Sequence, residues 1–148
     1  MENTTQESDN LMKFEKEVKE NVFGFGEANE AYAQYFTGAS FLRGLVSPEE
    51  NIDWGMAQVS FEPGCINHWH AHTTGYQVLL CTGGEGWVQE EGKEPVRMRP
   101  GDVYVVRRGV KHWHGAGKNS WFSHIAITSG ATEWYEPVDE QAYAELDD

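Results

Sequence analysis

Positive charge is scarce in this sequence. Eleven Lys and Arg stand against 24 Asp and Glu, a formal net charge of −13 over 148 residues. So acidic a chain repels phosphate backbones and anionic lipid surfaces, which excludes nucleic acid and membrane as expected partners. Long apolar runs are also missing, and none approaches the ~20 residues that span a bilayer. The first ten residues, Met1 to Asn10, are polar and show no secretory leader. Cysteine is limited to Cys65 and Cys81, too few for a disulfide scaffold and not spaced as a CxxC pair. The expectation from these absences is one cytoplasmic domain with its own core.

What is abundant is aromatic residues and glycine: six Trp, six Tyr, seven Phe and 16 Gly. Glycines that cut short β-branched and aromatic runs mark many short strands joined by tight turns. The runs predicted as strands are 39–46, 54–61, 66–72, 76–81, 86–90, 96–99, 103–106, 112–114 and 121–127. Their even spacing points to an all-β sandwich or small barrel. Ala57, Val59 and Phe61 alternate with Gln58 and Ser60 as a barrel wall should, and Leu79 and Cys81 share the inward parity of Gln77. Cys65 and Cys81 fall on opposite parities, so no disulfide is expected between them. Gly83, Gly84 and Gly86 suit a tight hairpin. Leu11, Phe14 and Val18 recur at helical spacing and predict a helix over 9–20, while Asp139 caps a second one over 140–145.

Charge is uneven along the chain. Residues 1–20 hold six acids and three lysines, 131–148 hold seven acids and no base, and the middle is nearly balanced. The division that follows is an acidic N-terminal extension over 1–35, a barrel over 36–130 and an acidic tail over 131–148. Both ends are expected to be solvated. Arg97, Arg99, Arg107 and Arg108 form a basic edge that could pair with those ends.

All six histidines lie between 68 and 124. His68, His70 and His72 alternate with Trp69 and Ala71, and His112 and His114 flank Trp113. Residues two apart share a face only on a strand, so the trio and the pair should each converge on one side. Neutral imidazole is the commonest metal ligand, and two such strands facing each other make a metal site. His124 stands alone in the strand-like run WFSHIAI, where an unpaired polar side chain is costly to bury.

These residues resemble two motifs of the cupin superfamily. Gly64, five residues, His70-Ala71-His72, four residues, Gln77, six residues and Gly84 follow the first. Gly101, five residues, Arg107-Arg108-Gly109, two residues and His112 follow the second. Gln77 stands where Glu is usual, Arg107 where Pro is usual, and Ala116 where a late Asn is usual. The resemblance covers roughly 55–127 and implies a single cupin (double-stranded β-helix, jelly-roll) antiparallel barrel with short helical extensions at its ends. It also implies a divalent transition metal on His70, His72, Gln77 and His112, with Mn first and Fe, Ni, Zn or Cu as alternatives.

The stretch HWHGAGKNSWFSHIAI is similar to a subgroup that contains manganese-dependent hydroxynitrile lyases and cupins associated with carboxymuconolactone decarboxylases. That likeness implies an acid/base role for His124, a supporting proton-handling role for His114, and homodimerisation. His68 stands where the subgroup often has Asn, and its role is open. The implied function is a metal-dependent lyase acting on a C–C bond next to an oxygen of a small-molecule substrate. A cupin dioxygenase and a non-catalytic metal- or ligand-binding cupin are the alternatives.

Overall fold

The computed structural model describes residues 2–146. In chain order the elements are α1 (Glu2–Lys19), β1 (Glu27–Ala28), a 3-10 turn (Ala33–Tyr35), β2 (Phe36–Thr37), β3 (Ser40–Val46), β4 (Trp54–Phe61), β5 (Ile66–Asn67), β6 (His70–His72) and β7 (Gln77–Gly84). They continue with β8 (Gly86–Glu90), β9 (Val96–Met98), β10 (Val103–Val106), β11 (His112–Ala116), β12 (Phe122–Ser129), β13 (Thr132–Trp134) and α2 (Glu140–Ala144).

The strands form two antiparallel sheets. One has six strands in the order β1-β3-β4-β12-β7-β10; the other runs β13-β6-β11-β5-β2, with β8 and β9 attached through β11. The architecture is all-β and jelly-roll-like, two packed sheets rather than a closed barrel. Between the sheets lies a core of Val59, Phe61, Leu79, Val88, Met98 and Phe122, all buried. Ala57, Val59 and Phe61 point inward as their alternation predicts. Gln58 and Ser60, on the opposite parity, are fully buried as well, and Gln58 donates to Asn21 just beyond the end of α1. That helix begins at Glu2 rather than near residue 9, and its Val18 is fully buried.

Four expectations fail for local reasons. The run 66–72 is two strands, because the chain breaks out of the sheet at His68 and Trp69. The break inverts the alternation, so Cys65 joins Cys81 in the same core cluster instead of facing away from it. Both are free thiols, and burial pushes each up to about 12, which makes them packing groups rather than nucleophiles. Gly83–Gly86 is not a hairpin, since β7 and β8 belong to different sheets and the glycines turn the corner between them. Gly84 has φ +65°, and a Cβ there would lie 1.8 Å from the Trp121 carbonyl oxygen. Arg97 and Arg99, from the predicted basic edge, both pair with Glu85.

The C-terminal segment is the fourth correction: it is docked, not free. Asp139 caps α2 through Gln141 and Ala142 N–H, as predicted. Val138, Tyr143 and Leu146 pack on Trp87 and Trp113, and Tyr143 donates to the Ala116 carbonyl at 2.6 Å. Asp147 and Asp148, the last acids of the predicted tail, lie outside the described residues. No helix among the described residues is long and apolar enough to cross a membrane.

Candidate metal centre

Each sheet contributes to one buried polar cluster between them. The seven-stranded sheet supplies His70 and His72 from β6 and His112 and His114 from β11, where His112 sits opposite His70. The six-stranded sheet supplies Gln77 from β7 and His124 from β12. Period-two alternation aims each HxH pair at the same space. One nitrogen from each of His70, His72 and His112 falls within 4.8 Å of the others. His68, in the strand break, does not join them; it sits edge-on to Tyr35, and only its carbonyl serves the site.

The hydrogen bonds around these rings leave acceptors pointing at one another. His70 Nδ1 donates to the His68 carbonyl at 2.8 Å, and His112 Nδ1 to the Val110 carbonyl at 3.0 Å. Gln77 Nε2 donates to Thr128 Oγ1 at 2.9 Å, its cross-strand partner, which turns Gln77 Oε1 toward His112 Nε2 at 3.0 Å. His112 thus has an acceptor at both ring nitrogens, and a neutral imidazole has one proton to offer. The deficit is one positive charge. Protonation could supply it, but burial holds His112 down to about 4. Burial also lowers His72, and it pushes His70 well down, with the neighbouring His112 adding to the effect. His72 Nε2 is buried without any partner. Bare, neutral imidazole nitrogens and an amide oxygen converging on one point form a donor set that fits a divalent transition metal. His70, His72, His112 and Gln77 would hold it.

His114 and His124 lie beside this set. His124 Nε2 and His114 Nδ1 are 3.0 Å apart, and both side chains are buried. Burial pushes His124 down to about 3, and it pushes His114 well below its ordinary value, with His124 adding to that. Both are neutral near pH 7. Asn67 steadies the pair, since its Oδ1 accepts from the His114 backbone N–H at 2.9 Å.

All of these residues except His112 line one cavity of about 740 Å³. Its outer wall is apolar and aromatic, with Phe36, Leu42, Val46, Met56 and Trp134. Among the described residues, none of those lining it is Asp, Glu, Lys or Arg. Sequence reading, by strand spacing for His70, His72, His112 and His114 and by the cupin resemblance for Gln77 and His124, brings these six together. It misses Asn67, Thr128, Thr132 and Trp134, of which only Thr128 carried a signal, the inward parity it shares with His124.

Fold and site together define a β-sandwich protein with a histidine triad able to hold a metal. The Cupin domain family matches residues 57–128, and the chain belongs to the cupins. It is 37% identical over 115 residues to an (R)-mandelonitrile lyase from Granulicella tundricola, a match covering 75% of this chain and 87% of that one. Among solved structures, a cupin-like protein from Thermotoga maritima superposes with a TM-score of 0.78 at 35% identity, covering 84% of this chain and 96% of its own. The DMSP lyase DddQ of Ruegeria pomeroyi shares the fold at 18% identity and a TM-score of 0.58, with 76% of this chain and 57% of that one covered.

Proposed function

We propose that this cupin is a metal-dependent lyase that breaks or makes a C–C bond next to a carbonyl or hydroxyl oxygen of a small, uncharged molecule. The observation that carries this reading is the neutral His114–His124 pair, buried in the cavity that His70, His72 and Gln77 also line. When bound, a divalent ion on His70, His72, His112 and Gln77 would act as a Lewis acid toward a substrate oxygen. Manganese is the first expectation for that ion.

The chain's own residues would do the rest. His124 accepts or returns the substrate proton, and its contact with His114 lets the proton be shared between the two rings. A positioned base of this kind is worth ~10²–10⁴-fold in rate. Asn67 holds the His114 backbone and so fixes that ring's place. A cavity without charged side chains favours a substrate with no charge beyond the reacting group, and its aromatic wall favours a planar or apolar body. The similarity to an (R)-mandelonitrile lyase supports the same class of chemistry.

Metal analysis of the purified protein, followed by a panel of cyanohydrins, lactones and diketones with oxygen uptake monitored, tests this. The expected result is lyase turnover without oxygen consumption, lost in His124→Ala. Oxygen consumption that tracks turnover would replace the lyase by a dioxygenase. A metal-loaded protein inert to the whole panel would favour a binding role.

A further inference from the structure

The segment after Gly130 reads as a tail, yet β13 lies on β6 with Thr132 opposite His72 and Trp134 opposite His70. Opposite residues of an antiparallel pair share a face, so both side chains meet the histidines. Thr132 Oγ1 is 3.1 Å from His72 Nδ1. The Trp134 ring lies 4.6 Å from the His70 ring at 34°, and it also stacks on Tyr35 at 4.4 Å and 1°.

The three candidate ligands are therefore oriented by different means. His70 and His112 donate to backbone carbonyls, which can only accept. His72 alone is held by a hydroxyl, which can accept or donate. A hydroxyl that donates would force the ring proton onto Nε2, which is buried and has no partner. One that accepts leaves Nε2 bare and turned to the site. The strand carrying these two residues is well anchored. Tyr135 N–H donates to the Trp69 carbonyl at 2.8 Å, Trp69 N–H to the Glu136 carbonyl at 3.0 Å, and Lys111 pairs with Glu136 at 2.9 Å.

We propose that β13 is a clamp on the metal centre, in which Thr132 sets the tautomer of His72 and Trp134 fixes the plane of His70. Both are positioning residues. The proposal rests on the reading of His70, His72 and His112 as metal ligands and holds whatever the reaction is. Thr132 stands at the exposed rim, so the informative replacement is Thr132→Val, whose methyl excludes a substitute water; Thr132→Ser keeps the hydroxyl.

The experiment has two readouts. Long-range ¹H–¹⁵N NMR of the metal-free protein should place the His72 proton on Nδ1 in the wild type and in T132S, and move it toward Nε2 in T132V. Titration with zinc alone should show T132V binding roughly 10–100-fold more weakly than wild type, the usual effect of losing a ligand's orienting partner, with T132S restoring affinity. Trp134→Leu should release zinc to a chelator faster, and Trp134→Phe should recover most of the retention. A wild-type His72 protonated on Nε2, or T132V that binds zinc as tightly as wild type, would overturn the clamp. Wild-type protein that takes up no zinc would overturn the metal reading itself, a failure visible before any variant is compared.

Discussion

Two clusters of polar side chains, one half-buried and one buried, lie on opposite faces of the six-stranded sheet. On the outer face, under α1, Thr82 Oγ1 donates to Gln58 Oε1 at 3.0 Å, and Gln58 Nε2 donates to Asn21 Oδ1 at 3.1 Å. Asn21 Nδ2 donates to the Thr82 and Glu17 carbonyls, and Glu17 Oε1 accepts from Gly84 N–H. Donors meet acceptors almost throughout; the Ser60 hydroxyl is the exception there among the described residues. On the inner face the pattern reverses. Gln77 Oε1 faces His112 Nε2, and His72 Nε2 and His124 Nδ1 have no partner. The inner cluster is the more deeply buried of the two, yet it is the one whose hydrogen bonds are incomplete. A closed network holds the helix to the sheet, whereas a network short of positive charge is one built to receive a cation.

Breaking the inner cluster should have the largest effect. Replacing His70 or His112 by Ala is expected to strip most of the bound metal, measured by elemental analysis after gel filtration. His124→Ala should cost ~10²–10⁴-fold in turnover with metal content and melting nearly unchanged. That outcome would separate the proton-handling pair from the ligands.

Acid should sharpen the contrast next. The buried imidazoles have pKa values below that of an unfolded His, so the folded protein binds fewer protons than the unfolded one. Stability from them is therefore complete above about pH 6.5, the ordinary His value, and falls as pH drops below it. For His112 and His124 the fall continues toward about 4 and about 3. Melting of the metal-free protein between pH 7 and 4 checks this.

The outer cluster should answer oppositely. Gln58→Leu removes one hydrogen bond from Thr82 and one from Asn21 and should cost about 1–3 kcal/mol of stability in denaturant melts, with metal affinity unchanged. A parallel loss of metal would mean that the two faces are coupled. Smallest of all, Arg99→Ala at the exposed end of the Glu85 pair should change stability by no more than about 1 kcal/mol.

Much of this site was legible because strand periodicity is strict. HxH at 70–72 and 112–114 needs only a strand to converge, which places His114 beside His112, while Gln77 and His124 came from the family resemblance. The failures came where periodicity lapses or distance along the chain is large. His68 was expected beside His70, but the chain leaves the sheet at 68–69. Gln58 and Ser60 alternate as surface residues do, and no local pattern announces that the chain near Asn21 returns to meet Gln58. Thr132 and Trp134 lie about 60 residues from the histidines they touch, in a run whose acidity suggested a solvated end. A cross-strand contact of that kind leaves no spacing signature.

The central claim is that His70, His72, Gln77 and His112 converge as bare acceptors because one divalent ion belongs among them. Titration of chelator-stripped protein with manganese, followed by electron paramagnetic resonance, tests it most directly. The account predicts one tight site per chain, weakened in Gln77→Leu and abolished in His112→Ala. Wild-type binding that is absent, or that persists at full affinity in His112→Ala, would contradict it.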